Sequence, residues 1–190
     1  MSTRNFIKYL ARKVTKNLEN INEENISKLI DFLLHADRIF TVGRGRSALV
    51  SELFAIRLLQ LGFNVSAIGE RILDLAPPIG GKKDIVIAVS GSGETEEVIT
   101  YCNAAKRRGA LIVGITSFED SPLSNIADLV IIVKGRTRKW HYKMFLEREI
   151  EGEREPITHE GSLFEISTIF LFEAIIDELY KRMTGAEKGD

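Results

Sequence analysis

The stretch IAVSGSGETEEVI, residues 87–99, joins an apolar run to a glycine- and hydroxyl-rich segment and then to the start of a helical pattern. The run at 85–89 is continuously apolar, which is typical of a strand buried on both faces of a parallel sheet. Residues 90–95 then supply two glycines and three hydroxyls, more than a plain turn requires. The stretch therefore predicts a strand, a loop that holds a polar ligand, and a helix.

Similar β-rich runs alternate with helical patterns along the rest of the chain. The predicted strands are 38–42, 64–68, 84–89, 111–116 and 129–133. The predicted helices are 4–19, 23–36, 46–61, 94–108, 121–127 and 161–183, with a turn or partial helix at 72–78. This alternation predicts an α/β fold, a doubly wound five-stranded parallel sheet of flavodoxin-like order 2-1-3-4-5 flanked by helices.

We expect a single domain over 1–190, with an N-terminal helical arm at 1–36 and a charged excursion at 134–156. The helix at 161–183 is apolar nearly all round. Because such a helix must be buried on every side, we expect it to lie in a subunit interface, as in a homodimer.

Composition excludes several classes of protein. No apolar run reaches the length of a membrane span, and the net charge of −1 gives no sign of a nucleic-acid partner. The N-terminus can be interpreted as an amphipathic transit sequence, but Phe6, Leu10 and Val14 more simply form a core-facing stripe. The single cysteine, Cys102, points to a reducing cytoplasm, and 28% charged residues with one glutamine, Gln60, favour a heat-adapted source.

Two loops are predicted to meet at the carboxyl edge of the sheet, where open α/β folds bind ligands. Residues 43–47 follow the first strand and residues 90–95 follow the third. Their glycines and helix-start amides suit a phosphate, to which four hydroxyls and two cations can add bonds: Ser47, Ser90, Ser92, Thr95, Arg44 and Arg46. The alternative is a glycine–serine turn in which Ser92 or Thr95 caps the helix.

A dinucleotide site is a rival interpretation of the first loop. Residues 43–48 match the relaxed glycine pattern, and Glu70 follows where a ribose-binding acid can lie. This interpretation leaves the second loop unexplained. Cys102, His35, His141 and His159 are scattered and form no metal-ligand spacing, so we expect neither a cofactor nor a metal.

Three motifs carry a resemblance to the sugar isomerase (SIS) family over about residues 25–183. They are FTVGRGRSALVSELFAIRLLQLGF at 40–63, IAVSGSGETEEVI at 87–99 and EGSLFEISTIFLFEAIIDEL at 160–179. The order of these motifs, with IGE at 68–70, most resembles 6-phospho-3-hexuloisomerases. The resemblance implies isomerisation between hex-3-ulose 6-phosphate and fructose 6-phosphate. It also implies a homotetramer of paired dimers as an alternative to a homodimer.

The same resemblance implies roles for individual residues. The phosphate would be held by Ser47, Ser90, Gly91, Ser92 and Thr95, with Gly45, Arg46 and Glu160 as further substrate contacts. Glu165 would be the base that forms an enediol, although a first-turn glutamate can also just complement the helix dipole. Glu160 competes for this role. The residues after the last helix, TGAEKGD, lack the histidine that members tend to carry there, and His159 is the nearest substitute.

Two classes of function remain open at this point. One is a metal-free ketol isomerase of sugar phosphates, of this or another sugar. The other is a regulatory module that binds a sugar phosphate without turnover, as SIS domains do within some regulators. The sequence has no evident DNA-binding helix-turn-helix, which favours the enzyme.

Overall fold

One parallel sheet organises the chain. The computed structural model describes residues 1–68, 79, 81, 83–136, 150–152 and 161–185. Its strands are β1 (Arg38–Gly43), β2 (Val65–Ile68), β3 (Asp84–Val89), β4 (Leu111–Thr116) and β5 (Leu129–Ile132). They pair in the order β2-β1-β3-β4-β5, and every pairing is parallel. The predicted fold class and strand order are confirmed.

Six helices surround the sheet in the described part of the chain. They are α1 (Thr3–Leu18), α2 (Glu23–His35), α3 (Arg46–Gln60), α4 (Glu96–Arg107), α5 (Pro122–Ile126) and α6 (Leu163–Thr184). Each begins and ends within two residues of its predicted position. Side-chain caps fix several starts: Ser2, Asn22 and Ser121 each accept a hydrogen bond from a first-turn amide.

Both faces of the sheet are buried, which explains the continuously apolar strands. On β3, Ile85, Ile87 and Val89 join the core formed with α2, α3 and α6. The alternating residues Val86 and Ala88 join a second core with α4 and α5. Alternate side chains of a strand point to opposite faces, so an apolar run without alternation marks a strand covered on both sides.

The apolar surface of α6 is covered mostly by its own chain. Nine of its residues are buried, and the helix packs against α1, α2 and α3. The rings of Phe54 and Phe172 stack with their centroids 3.9 Å apart. Burial all round thus does not by itself require a partner subunit, and the interface remains a prediction. Phe170, Tyr180 and Met183 of α6 remain exposed, and a second set of exposed apolar residues forms a stripe on α3, at Leu49, Leu53, Ile56 and Leu59.

A buried ion pair lies at the amino edge of the sheet. Asp84 is 1% exposed and accepts two hydrogen bonds from Arg38, at 3.0 Å from Nε and 2.6 Å from Nη2. The backbone N–H of Gly81 donates a third, at 2.9 Å. This bidentate contact joins the first residues of β1 and β3, which are paired in register.

Several predicted features lie outside the described residues. They are the turn or partial helix at 72–78, Glu70, His159, Glu160 and most of the charged excursion at 134–156. In the part that is described, no helix is both long and apolar enough to cross a membrane.

Candidate functional site

The two predicted loops lie next to one another at the carboxyl edge of the sheet. Gly43, the last residue of β1, is in register with Val89, the last residue of β3. The glycine loop (43–47) and the hydroxyl loop (90–95) therefore leave neighbouring strands at the same level. Their predicted juxtaposition is confirmed.

The backbone of the hydroxyl loop turns its carbonyls toward the protein. The Gly91 carbonyl accepts from Ser117 N at 3.1 Å, and that of Gly93 accepts from Leu123 N at 2.9 Å. Gly93 adopts a positive φ of 67° and donates its own N–H to the Ser90 carbonyl at 2.9 Å. A glycine is favoured there because other residues are strained at such φ values. The carbonyls of Gly91 and Gly93 are thus satisfied by Ser117, just after β4, and by Leu123 in α5.

The amides and hydroxyls of the same loop remain available to a ligand. Within the described chain, the N–H groups of Gly91, Ser92 and Thr95 donate no hydrogen bond. The Ser90 and Thr95 hydroxyls lie together, with Oγ and Oγ1 3.0 Å apart. Thr95 is the N-cap of α4 by position, yet its side chain makes no capping bond, and Ser92 Oγ accepts from Glu94 N instead. Neither Ser92 nor Thr95 makes a side-chain capping bond to α4, while the alternative of a plain glycine–serine turn stays open.

The glycine loop brings the start of α3 close to the strand that precedes it. An ideal β-carbon on Gly43 would lie 2.6 Å from the carbonyl oxygen of Ser47. Gly45, at a φ of 55°, is the N-cap of α3 and has no side chain that could cap the helix. Ser47 follows in the first turn, 6% exposed. The first turn of α3, whose backbone N–H groups have no side-chain cap, therefore points toward the hydroxyl loop at the carboxyl edge of the sheet.

The two arginines of the glycine loop contact carboxylates on different helices. Arg44 Nε lies 3.5 Å from Glu97 Oε1 on α4. Arg46 Nε lies 3.4 Å from Glu165 Oε1, and its Nη1 is 3.4 Å from Ser162 Oγ at the start of α6. Arg46 thus links the glycine loop to the predicted base, while its contact with a substrate remains a prediction.

Glu165 is the one carboxylate predicted for catalysis that the structure describes. It lies in the first turn of α6 and is 5% exposed. Its Oε1 pairs with the guanidinium groups of Arg46 and Arg136. Its Oε2 is buried and has no hydrogen-bond partner among the described residues. A glutamate that only complements a helix dipole has no need of burial or of two cations, since the dipole acts on exposed groups as well.

Arg136 is a site residue that the sequence analysis missed. It comes just after β5 and lies against Gly91, where an ideal β-carbon would be 2.7 Å from its Cγ and Nε. Its guanidinium carbon is 5.9 Å from the ring centre of Phe164. The available signal was its position: the carboxyl ends of parallel strands meet at one edge, so a residue after β5 belongs with the two loops.

The described residues offer neither a metal cluster nor a reactive thiol at this edge of the sheet. No three His, Cys, Asp or Glu residues are grouped as a metal site among the residues described. Cys102 lies in the core under α4, and burial raises the pKa of its thiol to about 12. Such a thiol is not a nucleophile near neutral pH, because the thiolate is the reactive form.

Comparison with known proteins shows the family to which the chain belongs. The SIS domain model matches residues 32–145. The chain therefore belongs to the SIS domain family, as the sequence motifs indicated.

Its relatives include named enzymes that align over nearly the whole chain. A 3-hexulose-6-phosphate isomerase of Methylomonas aminofaciens is 34% identical over 95% of this chain and 91% of its own length. Another from Bacillus subtilis is 31% identical over 96% and 91%. A crystal structure of a hypothetical protein from Methanococcus jannaschii, reported to infer a 3-hexulose-6-phosphate isomerase function, superposes with a TM-score of 0.70. It is 28% identical, over 93% of this chain and 90% of that one.

Proposed function

We propose that the chain is a phosphosugar isomerase that interconverts hex-3-ulose 6-phosphate and fructose 6-phosphate. The observation that carries the proposal is the buried Glu165 at the sheet edge that also holds two loops suited to an anion. Relatives named for this reaction support the choice of substrate.

The phosphate is assigned to the paired loops. Ser90 and Thr95 present adjacent hydroxyls. The backbone N–H groups of Gly91, Ser92 and Thr95 donate no hydrogen bond within the described chain. Ser47 approaches from the first turn of α3, with Gly45 and Arg46 as further substrate contacts. Exposed amides at helix starts and hydroxyl donors together satisfy several oxygens of one phosphate.

The sugar then extends toward Glu165, which acts as the base. The carboxylate takes the proton from C2 of the 3-ketose, the C–H electrons form the C2=C3 bond, and the carbonyl electrons move to O3. The O2 proton passes to O3. Glu165 finally returns its proton to C3 as the C2 carbonyl forms, so the base ends ionised. A positioned carboxylate contributes about 10²–10⁴ in rate this way.

This route needs no metal, because the carboxylate moves the proton and guanidinium groups supply the positive charge. The reaction is an intramolecular oxidoreduction, since C2 is oxidised while C3 is reduced. His159 and Glu160 are kept as candidates for a proton shuttle and a substrate contact. We further propose cytoplasmic action and a heat-adapted source, which the single Cys102 and the 28% of charged residues support.

The alternatives are a binding module without turnover and an isomerase of a different sugar phosphate. A buried, doubly paired carboxylate favours turnover, because a module that only binds an anion gains nothing from a negative charge there.

The decisive experiment incubates the chain in D₂O with a panel of ketose and aldose phosphates and follows the carbons by NMR. We expect deuterium at C2 of hex-3-ulose 6-phosphate and at C3 of the fructose 6-phosphate that forms. Binding without exchange in any sugar would establish the regulatory module. Exchange confined to another sugar would change the substrate but keep the reaction.

A further inference from the structure

The two carboxylate oxygens of Glu165 lie in different surroundings. Oε1 accepts from Arg136 and lies 3.4 Å from Arg46 Nε. Oε2 is buried and accepts no hydrogen bond from the part of the chain that the structure describes. Buried polar atoms are nearly always paired, so an unpaired one calls for an explanation such as a catalytic role.

We propose that Arg136 is the positioning residue for Glu165. Together with Arg46 it fixes Oε1, which leaves Oε2 as the oxygen that takes the proton from carbon, and α1 holds Arg136 in place through Asn17. The inference rests on the proposed function, because it assigns an atom within that reaction.

Electrostatics explains why the carboxylate needs these partners. A buried carboxylate without compensation is costly, and a cation that donates hydrogen bonds offsets this cost. A guanidinium is planar and always charged, so it also fixes the orientation of the carboxylate plane. With Oε1 held on one side, the free lone pairs belong to Oε2.

Arg136 is itself held tightly against the start of α6. Gly135, with a φ of 142°, lies so close to α6 that an ideal β-carbon would be 2.4 Å from the backbone nitrogen of Phe164. The arginine stem contacts Gly91, and its guanidinium lies near the Phe164 ring. These contacts place Arg136 between the hydroxyl loop and the base, where no side chain on Gly91 or Gly135 would fit.

Helix α1 secures the segment that carries Arg136. Asn17 Nδ2 donates to the carbonyl oxygen of Lys134 at 2.6 Å and to Ser167 Oγ at 2.8 Å. One amide group therefore ties the exit of β5 to α6, two residues beyond Glu165. This contact gives the N-terminal arm a role in the site.

Charge is conserved through the step that Oε2 performs. When Oε2 takes the proton, Glu165 becomes neutral and the negative charge moves to the enediolate oxygen. When Oε2–H returns the proton to the neighbouring carbon, the carboxylate charge returns. The two guanidiniums remain protonated throughout, so they orient the base without exchanging protons.

The test compares Arg136→Ala, Arg136→Lys and Asn17→Ala with Asn20→Ala as the matched control. Asn20 makes one long bond, 3.4 Å to Lys16 O, on the same arm. We expect kcat to fall by about 10²-fold in Arg136→Ala and by less in Arg136→Lys and Asn17→Ala. We expect no change in Asn20→Ala. In all four variants KM should stay unchanged, and inorganic phosphate should still raise the Tm. Added guanidinium ion, but not urea, should partly restore the kcat of Arg136→Ala.

Each contrary result has a distinct meaning. Wild-type kcat in Arg136→Ala, or a raised KM with kcat unchanged, would overturn the positioning role, the latter in favour of a phosphate ligand. Wild-type kcat in Asn17→Ala would overturn the role of α1. If Arg136→Ala does not fold, the outcome for Arg136→Lys decides, because that variant keeps the charge and most of the volume. A wild-type chain that turns over no sugar phosphate would instead defeat the proposed function.

Discussion

Gly93 faces Ser121 so closely that an ideal β-carbon on the glycine would lie 2.2 Å from the serine Oγ. Ser121 is the N-cap of α5, and its Oγ accepts from Ser124 N at 3.2 Å. The hydroxyl loop thus contacts the N-cap of α5 directly. Any side chain at residue 93 would displace the loop, the cap or both.

Gly93→Ala should therefore destabilise the chain and remove its response to phosphate. The positive φ and the clash together should cost about 3 kcal/mol or more. The matched control is Gly109→Ala, which has a φ of 91° but no atom within 4 Å of the added β-carbon. It should cost about 1–2 kcal/mol and keep the response. Urea unfolding and phosphate-dependent melting measure both. Equal losses in the two variants would contradict the loop geometry.

Ser90→Ala combined with Thr95→Ala should abolish most of the rise in Tm that sugar phosphates cause. A ligand stabilises the native state in proportion to its preferential binding, so loss of the paired hydroxyls removes the shift. The melting temperature without ligand should stay near that of the wild type. It should fall slightly, because Gly93 N loses its bond to Ser90 Oγ, at 3.1 Å. If the double variant responds like the parent, the hydroxyl loop is only a turn and does not bind the phosphate.

Glu165→Gln should lower kcat by about 10²–10⁴-fold while affinity barely changes. The amide keeps the size of the side chain but cannot accept the proton, so the loss falls on the transition state. Glu173→Gln is the matched control: it lies on the same helix and pairs with Arg57 at 3.1 Å near the surface.

Steady-state kinetics with Glu160→Gln alongside distinguishes the competing acid. If Glu160→Gln loses the activity and Glu165→Gln keeps it, the base has been misassigned.

A stable oligomer should form through the exposed apolar stripe on α3. Four large apolar residues lie on one side of that helix, and an obligate interface commonly buries more than about 2,000 Å². Ile56→Glu should shift the species to lower mass in light scattering. If Phe170→Glu on α6 does so and Ile56→Glu does not, the C-terminal helix is the interface. A wild-type monomer at micromolar concentration would exclude both.

Cys102 should resist alkylation in the native state at pH 8. Burial raises the pKa of this thiol to about 12, against about 8.5 in an unfolded chain. The thiol therefore favours folding below pH 8.5, and this contribution is lost as pH rises toward 12. Iodoacetamide labelling followed by mass spectrometry should show modification only after denaturant is added. Rapid labelling of the folded chain would indicate that the core under α4 opens.

Local patterns were enough to predict the sheet but not every member of the site. Runs such as 85–89 identify buried strands because each of their side chains faces an apolar layer. The periodicity of α6 could not tell burial by its own chain from burial by a partner. Arg136 lay in a charge-dense segment without a period, and the contact of Asn17 with Lys134 spans 117 residues of sequence. Such contacts arise from tertiary packing, which spacing does not encode.

The ion pair between Arg38 and Asp84 lies at the amino edge of the sheet, opposite the loops. Strand ends are secured there by bonds that involve no residue of the proposed site. Evolution can therefore alter loop length and substrate preference at the carboxyl edge without loosening the strand ends at the other. In a sheet arranged this way, a change of substrate specificity at one edge need not lower the stability that the other edge provides.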